Sequence, residues 1–344
     1  MATTISPAMA MTHASQTWKR FTVACVCALI ATLIGCAIYA VETLVLRCRH
    51  RFAESPTEAV TRAVGIAHFL IGGLFLITSP SVRNRIALAR LAGLTLLGLG
   101  LCWVFSSVGG DKNPLAMLAF FGFFFAHEAG DEATLFRRSG EAGQLTVGQA
   151  RFLGWLSWSV ALAWITLLAG FYLVRASFLS RPNPIGTMEL AIAWLLAAGI
   201  AISCIGYSVV WGRRAYGSFA ASVDANLPLL GIYAGLTVVL LVGSIFGSVG
   251  LNLIILVHVM TWLVGTTDDL RKHGSPATNV WTWIRQTPVG FLTLHLGLAG
   301  VVLVLMAMRT HVWERTGIVC DLVSRGWFPF WSILHITIAF WRSK

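Results

Sequence analysis

The sequence predicts an all-α protein, a polytopic transmembrane helix bundle of about ten helices. Composition and one pattern carry that expectation. Hydrophobic residues make up 57% of the 344 and charged residues only 11%, and the mean hydropathy is +0.77; these are the proportions of a bilayer protein, not of a soluble domain. The apolar residues also gather into runs of about 17 to 25, the length with which a helix rising 1.5 Å per residue crosses ~30 Å of hydrocarbon.

Along the chain the runs fall at 21–46, 59–79, 88–107, 114–136, 152–174, 187–211, 227–246, 250–267, 288–308 and 326–341. Residues 1–20 read as an N-terminal cytoplasmic tail, and 21–344 as a single integral membrane domain. Lys19 and Arg20 precede the first run as they would in a signal peptide, but that run continues unbroken to Leu46. It is too long for a cleaved apolar segment and reads as a retained helix. A break near Gly247 and Ser248 keeps the seventh and eighth runs near spanning length.

Lys and Arg accumulate in cytoplasmic loops, so they set the orientation. Ten alternating helices put the N-terminal segment, Arg83/Arg85/Arg90, Arg137/Arg138/Arg151, Arg213/Arg214, Arg271/Lys272/Arg285 and Arg342/Lys344 on one side, together the larger share of the 25 basic residues. Both termini are therefore expected in the cytoplasm, and with no organelle-targeting pattern the bacterial inner membrane is the expected site. The net charge of +11 is accounted for by topology and by contact with membrane lipids. No basic block with interleaved aromatics points to nucleic acid. The seven cysteines are dispersed without a CxxC pair, which argues against a disulfide framework and a thiolate metal site.

Five histidines interrupt five different apolar runs: His68 in GIAHFLIGG, His127 in FFAHEAGDE, His258 in ILVHVMTW, His295 in LTLHLGLAG and His335 in ILHITIAFW. An ionisable side chain at the bilayer centre costs about 2.5 to 3.5 kcal/mol on insertion scales, so such residues face partners, water or a metal. Counted from the cytoplasmic end of its run, each histidine lies about seven to ten residues in, or ~10 to 15 Å deep. Five imidazoles on five helices at one level can converge.

Single imidazoles on separate helices suit iron, copper or zinc. The expected centre is therefore a metal, iron and non-haem, held by His68, His127, His258, His335 and His295, with haem as the alternative cofactor. Asp131 follows His127 by one helical turn and can ligate beside it or accept its second N–H. Asp131 and Glu128 are the candidate catalytic carboxylates. Glu128 and Glu132 form a second pair one turn apart on a neighbouring face, and the plainer reading of all three acids is a helix end ahead of Arg137 and Arg138. Asp268 and Asp269, beside Arg271 and Lys272, read as a solvated salt-bridge cluster. The run Phe120, Phe121, Phe123, Phe124 and Phe125 either lines an apolar pocket or packs against other helices. His13, His50, His273 and His311 lie in tails and loops.

The chain has no GxxxxGK[ST] phosphate loop, HExxH zinc-protease signature or GxSxG nucleophile elbow, and no clustered HxxxH or HxxHH box of a di-iron membrane desaturase. The order and spacing of His68, His127, His258 and His335, with HEAGDE as the best local match, resemble the Brp/Blh family of membrane β-carotene dioxygenases. The first motif lacks that family's Pro-His-Gly-Ala-Leu-Asp pattern, the third lacks a second nearby histidine, and the chain carries extra helices. The resemblance implies an all-helical oxygenase with iron held near an apolar substrate, His68 taking the place of the family's first histidine. Two other classes remain open on the residues alone. In a proton-coupled transporter the histidines and Asp131 would form a relay, and in a haem- or pigment-binding membrane subunit they would be axial ligands.

Overall fold

The computed structural model describes residues 7–48, 55–82, 84–138, 145–178, 187–245, 248–311 and 321–340, and every regular element among them is helical. Twelve α-helices follow one another among the described residues: α1 (Pro7–Ala40), α2 (Glu58–Ile77), α3 (Arg85–Ser107), α4 (Pro114–Arg138), α5 (Val147–Phe178), α6 (Thr187–Tyr216), α7 (Phe219–Ala225), α8 (Leu227–Ile245), α9 (Ser248–His273), α10 (Val280–Gln286), α11 (Pro288–His311) and α12 (Phe328–Ala339). Each of the ten apolar runs contains one helix, and α7 and α10 are short additions between runs. Because α1 begins at Pro7, most of the segment expected as a tail is helical. His50, Arg83, Arg342 and Lys344 lie outside the described residues.

Eight of the helices, α1, α2, α3, α5, α6, α8, α9 and α11, are long and apolar enough to cross a membrane. Two of the ten runs fall short. In α4, a helix of 25 residues, His127, Glu128, Asp131 and Glu132, with Arg137 and Arg138 at its end, break up the apolar run. The helix α12 has only 12 residues, about 18 Å of rise. Large apolar side chains stand exposed along the spans, among them Leu88, Leu96 and Trp103 on α3 and Ile192, Leu196 and Ile202 on α6. In water such faces would drive aggregation; against acyl chains they are the ordinary solvent contact. The protein is an integral membrane helical bundle.

The chain divides into two compact units, Met1–Phe21 with Val108–Ser244 and Thr22–Ser107 with Ile245–Lys344. In the first unit α5 packs between α4 and α6. Polar side chains join its helices: Tyr233 on α8 donates to the Ala129 carbonyl of α4 at 2.7 Å and bonds the Ser157 hydroxyl of α5 at 3.1 Å. Trp164 donates to Thr237 at 2.8 Å, and Ser159 meets Ser208 at 2.9 Å. Such bonds matter in lipid because apolar burial does not favour one helix neighbour over another. Gly231 and Gly235, one turn apart on α8, lie directly beneath Trp18 and Phe21. A side chain at either glycine would overlap those rings, so this is a small-xxx-small face receiving aromatic ridges.

In the second unit α2 packs against α9, α11 and α12, and α12 also against α3. The first half of α2 is closely enclosed, with every residue from Ala59 to His68 buried. Gly98 of α3 lets Leu334 and Thr337 of α12 approach, and the Cys102 thiol lies 3.6 Å from the Phe330 carbonyl. Arg285 on α10 closes the end of α2, donating to the Thr78 carbonyl (3.1 Å) and hydroxyl (3.2 Å) and to the Phe75 carbonyl (3.3 Å). Its guanidinium also lies over the Phe75 and Trp281 rings, at 5.2 and 5.5 Å. The final carbonyls of a helix have no intrahelical donor, and Arg285 supplies one.

Candidate metal centre

Four of the five membrane histidines meet inside the second unit. His68 is the hub. Its ring centre lies 4.6 Å from that of His335, 5.7 Å from His258 and 6.5 Å from His295. They come from α12, α9 and α11, the three helices that pack on α2. His68, His258 and His295 are each at most 3% exposed, and His335 is half-buried.

The separations can be tested against what one ion would demand. An imidazole nitrogen binds a late first-row ion at ~2.0–2.1 Å, which places the ring centre about 3.2 Å from the metal. Two rings set roughly 90–110° apart on one ion then have centres about 4.5–5.2 Å apart, and two opposed rings about 6.3 Å. His335 and His258 fall within that span of His68, whereas His295, at 6.5 Å, lies just beyond it. The donor set, imidazoles in an apolar setting, suits iron, copper or zinc.

Aromatic rings close the surroundings. Trp262 lies edge-on to His68 at 4.2 Å and also contacts His295 (5.9 Å) and Phe291 (5.3 Å). Phe69 lies 4.8 Å from His335, and Phe291 lies 6.1 Å from His295. The Val64 backbone runs beside the His295 ring, yet neither ring nitrogen of His295 makes a hydrogen bond of ordinary geometry. A Cβ built on Gly72 would come within 3.3 Å of the His335 ring carbon Cε1 and 3.6 Å of Nδ1. That glycine makes the space in which His335 sits. Sequence reasoning missed Trp262, Phe291 and Gly72, although each lies one turn from a histidine and so on the same helix face.

His127 belongs to the first unit. Its Nε2 lies 3.6 Å from the Asp131 carboxylate one turn on, and the Asp131 side chain is 37% exposed. Glu128 and Glu132 are 0% and 2% exposed. The helix-end reading of the acids fails for this pair, because α4 continues to Arg138 and both carboxylates lie within the protein. Phe125 is fully buried against Trp164 at 5.6 Å. Phe121 and Phe124 each contact Phe125 at 6.0 Å, so the phenylalanine run packs within its unit. Asp268 pairs with the exposed Arg271 at 3.7 Å, as a solvated cluster should, and Glu189 is exposed.

No family model, curated protein or solved structure matches this chain. Fold and site define a class: a polytopic helical membrane protein with a buried cluster of histidines on four helices.

Proposed function

We propose that the protein is an intramembrane metal-dependent oxidoreductase, an oxygenase acting on a lipophilic substrate, with non-haem iron held by His68, His258 and His335 and with His295 at the edge of the set. One observation carries the reading: imidazoles from four helices gather around His68, two of them, His335 and His258, at ring separations from it that two ligands of one ion could have. Ring contacts as close as 4.2 Å on His68 favour a bare ion over a macrocycle. When bound, iron would supply activation of dioxygen. The chain's own residues would hold the ligating nitrogens in place and, through Trp262, Phe69 and Phe291, exclude water and accept an apolar substrate.

The resemblance to the Brp/Blh dioxygenases makes a polyene the first substrate class to test. His127 with Asp131 is the best local match of the resemblance, and in the first unit the Asp131 carboxylate, 3.6 Å from Nε2, would orient that ring. The orientation with both termini in the cytoplasm rests on the distribution of basic residues over ten alternating runs, and the bacterial inner membrane on the lack of an organelle-targeting pattern.

Elemental analysis of detergent-purified protein, with an absorption spectrum of the same sample, tests the proposal. About one iron per chain without a Soret band is expected, and His258→Ala should lose it while remaining folded in the membrane. Full metal occupancy in both His258→Ala and His68→Ala would overturn the assignment, and a Soret band would move the histidines to haem ligation.

A further inference from the structure

The first unit carries a second feature that owes nothing to the histidines. The beginning of α5 packs on the end of α6: Gly148 lies against Ala215, and Phe152 meets Tyr216 edge-on at 5.7 Å. At this junction two arginines from different helices address one indole. The guanidinium of Arg151 lies 5.0 Å from the Trp211 ring centre, and that of Arg214 lies 5.5 Å from it. Arg213 is adjacent and, like the other two, exposed. None of the three makes an ion pair among the described residues, and Asp224 on the following α7 does not reach them.

The arrangement concentrates positive charge without balancing it. Two guanidiniums on a single tryptophan are held within about 10 Å of one another, where like charges repel over about a Debye length. Cation–π contact offsets part of that cost but leaves every N–H donor of the guanidinium edges available to an acceptor. The site also lies where a spanning helix ends: α6 is apolar up to this point, and tryptophan prefers the headgroup level of a bilayer. Arginine forks match phosphate oxygens in geometry.

We propose that Arg151, Arg213, Arg214 and Trp211 form a headgroup site for an anionic phospholipid. The phosphate engages the arginine forks, the indole packs against the glycerol region, and the acyl chains descend along the exposed apolar face of α6. A bilayer lipid rather than free phosphate is the occupant, because the cationic edge is continuous with a face carrying Ile202, Ile205 and Val210.

Attraction of about 1 kcal/mol per basic residue near an anionic surface corresponds to roughly five-fold in binding per arginine, and about thirty-fold for two. The test is native mass spectrometry of the full chain released from mixed phosphatidylcholine and phosphatidylglycerol vesicles. The protein should retain phosphatidylglycerol in preference. Arg151→Gln with Arg214→Gln should cut that preference by about thirty-fold, and the matching double lysine variant should keep part of it. An Arg47→Gln control, on another loop, should leave it intact. Three results would each overturn the proposal: no preference in the parent protein, an unchanged preference in the double glutamine variant, or equal displacement by inorganic phosphate. None of these readouts depends on bound metal, so the outcome is separable from the fate of the oxygenase reading.

Discussion

Gly72→Ala is the sharpest perturbation of the histidine cluster, because it adds one methyl group at a known distance from one of its rings. The new Cβ would sit 3.3 Å from Cε1 and 3.6 Å from Nδ1 of His335, while carbon atoms at optimal separation lie about 3.5–4.0 Å apart. The His335 ring must therefore retreat by a few tenths of an ångström, and a metal–nitrogen bond tolerates about 0.2 Å. Disturbing the groups that orient a ligand typically costs 10- to 100-fold in affinity, so about ten-fold weaker metal binding is expected. Gly73 is the matched control: its Cβ would meet nothing within 4 Å. Both substitutions carry the same gain in intrinsic helix propensity, about 1 kcal/mol, so a difference between them isolates the contact with His335. The assay is competition for iron with a chelator of graded affinity, followed by elemental analysis and a thermal melt of the metal-free protein. Equal iron affinity in the two variants, both folded, would refute the reasoning.

Three further outcomes are expected. Tyr233→Phe removes a buried hydroxyl bonded to Ala129 and Ser157 and should cost about 1 kcal/mol; a double-mutant cycle with Ser157→Ala, followed by SDS-titrated unfolding, should show the two effects to be non-additive. Arg285→Gln uncovers the last carbonyls of α2 and should cost about 1–2 kcal/mol, seen as faster amide exchange around Phe75 to Thr78 with slower positions elsewhere unchanged. Stripping metal with a chelator should lower the unfolding midpoint of the parent protein, since a ligand at 100 times its Kd contributes about 2.7 kcal/mol. His68→Ala should remove that chelator response, and an undiminished response would count against His68 as a ligand.

The helices were legible because a spanning segment must be both long and apolar, and each of the ten runs contains one. Convergence of His68, His258, His295 and His335 was legible too, since equal depth on neighbouring helices leaves few alternatives. The allocation of helices to units was not. It depends on close-approach faces such as Gly231 and Gly235 under Trp18 and Phe21, which hydropathy does not register, and it sets His127 in a different unit from the other four. Glu128 and Glu132 were read in part as a helix end because Arg137 and Arg138 follow so soon. Their burial reflects neighbours contributed from distant sequence, Tyr233 among them. The short span of α12 was also hidden: the run 326–341 is apolar nearly throughout, but Arg325–Trp327 forms a separate turn before the helix begins.

That shortness bears on how the histidine cluster is held together. A helix of 12 residues spans about 18 Å of the ~30 Å that a translocating segment must cross, and its end carbonyls need partners before they can rest in hydrocarbon. It makes no full crossing of its own, and its place is set by packing on α2 and α3. His335 rides on this segment. The imidazole cluster is thus completed through the shortest of its four helices, and whatever loosens α12 from α2 and α3 parts His335 from His68.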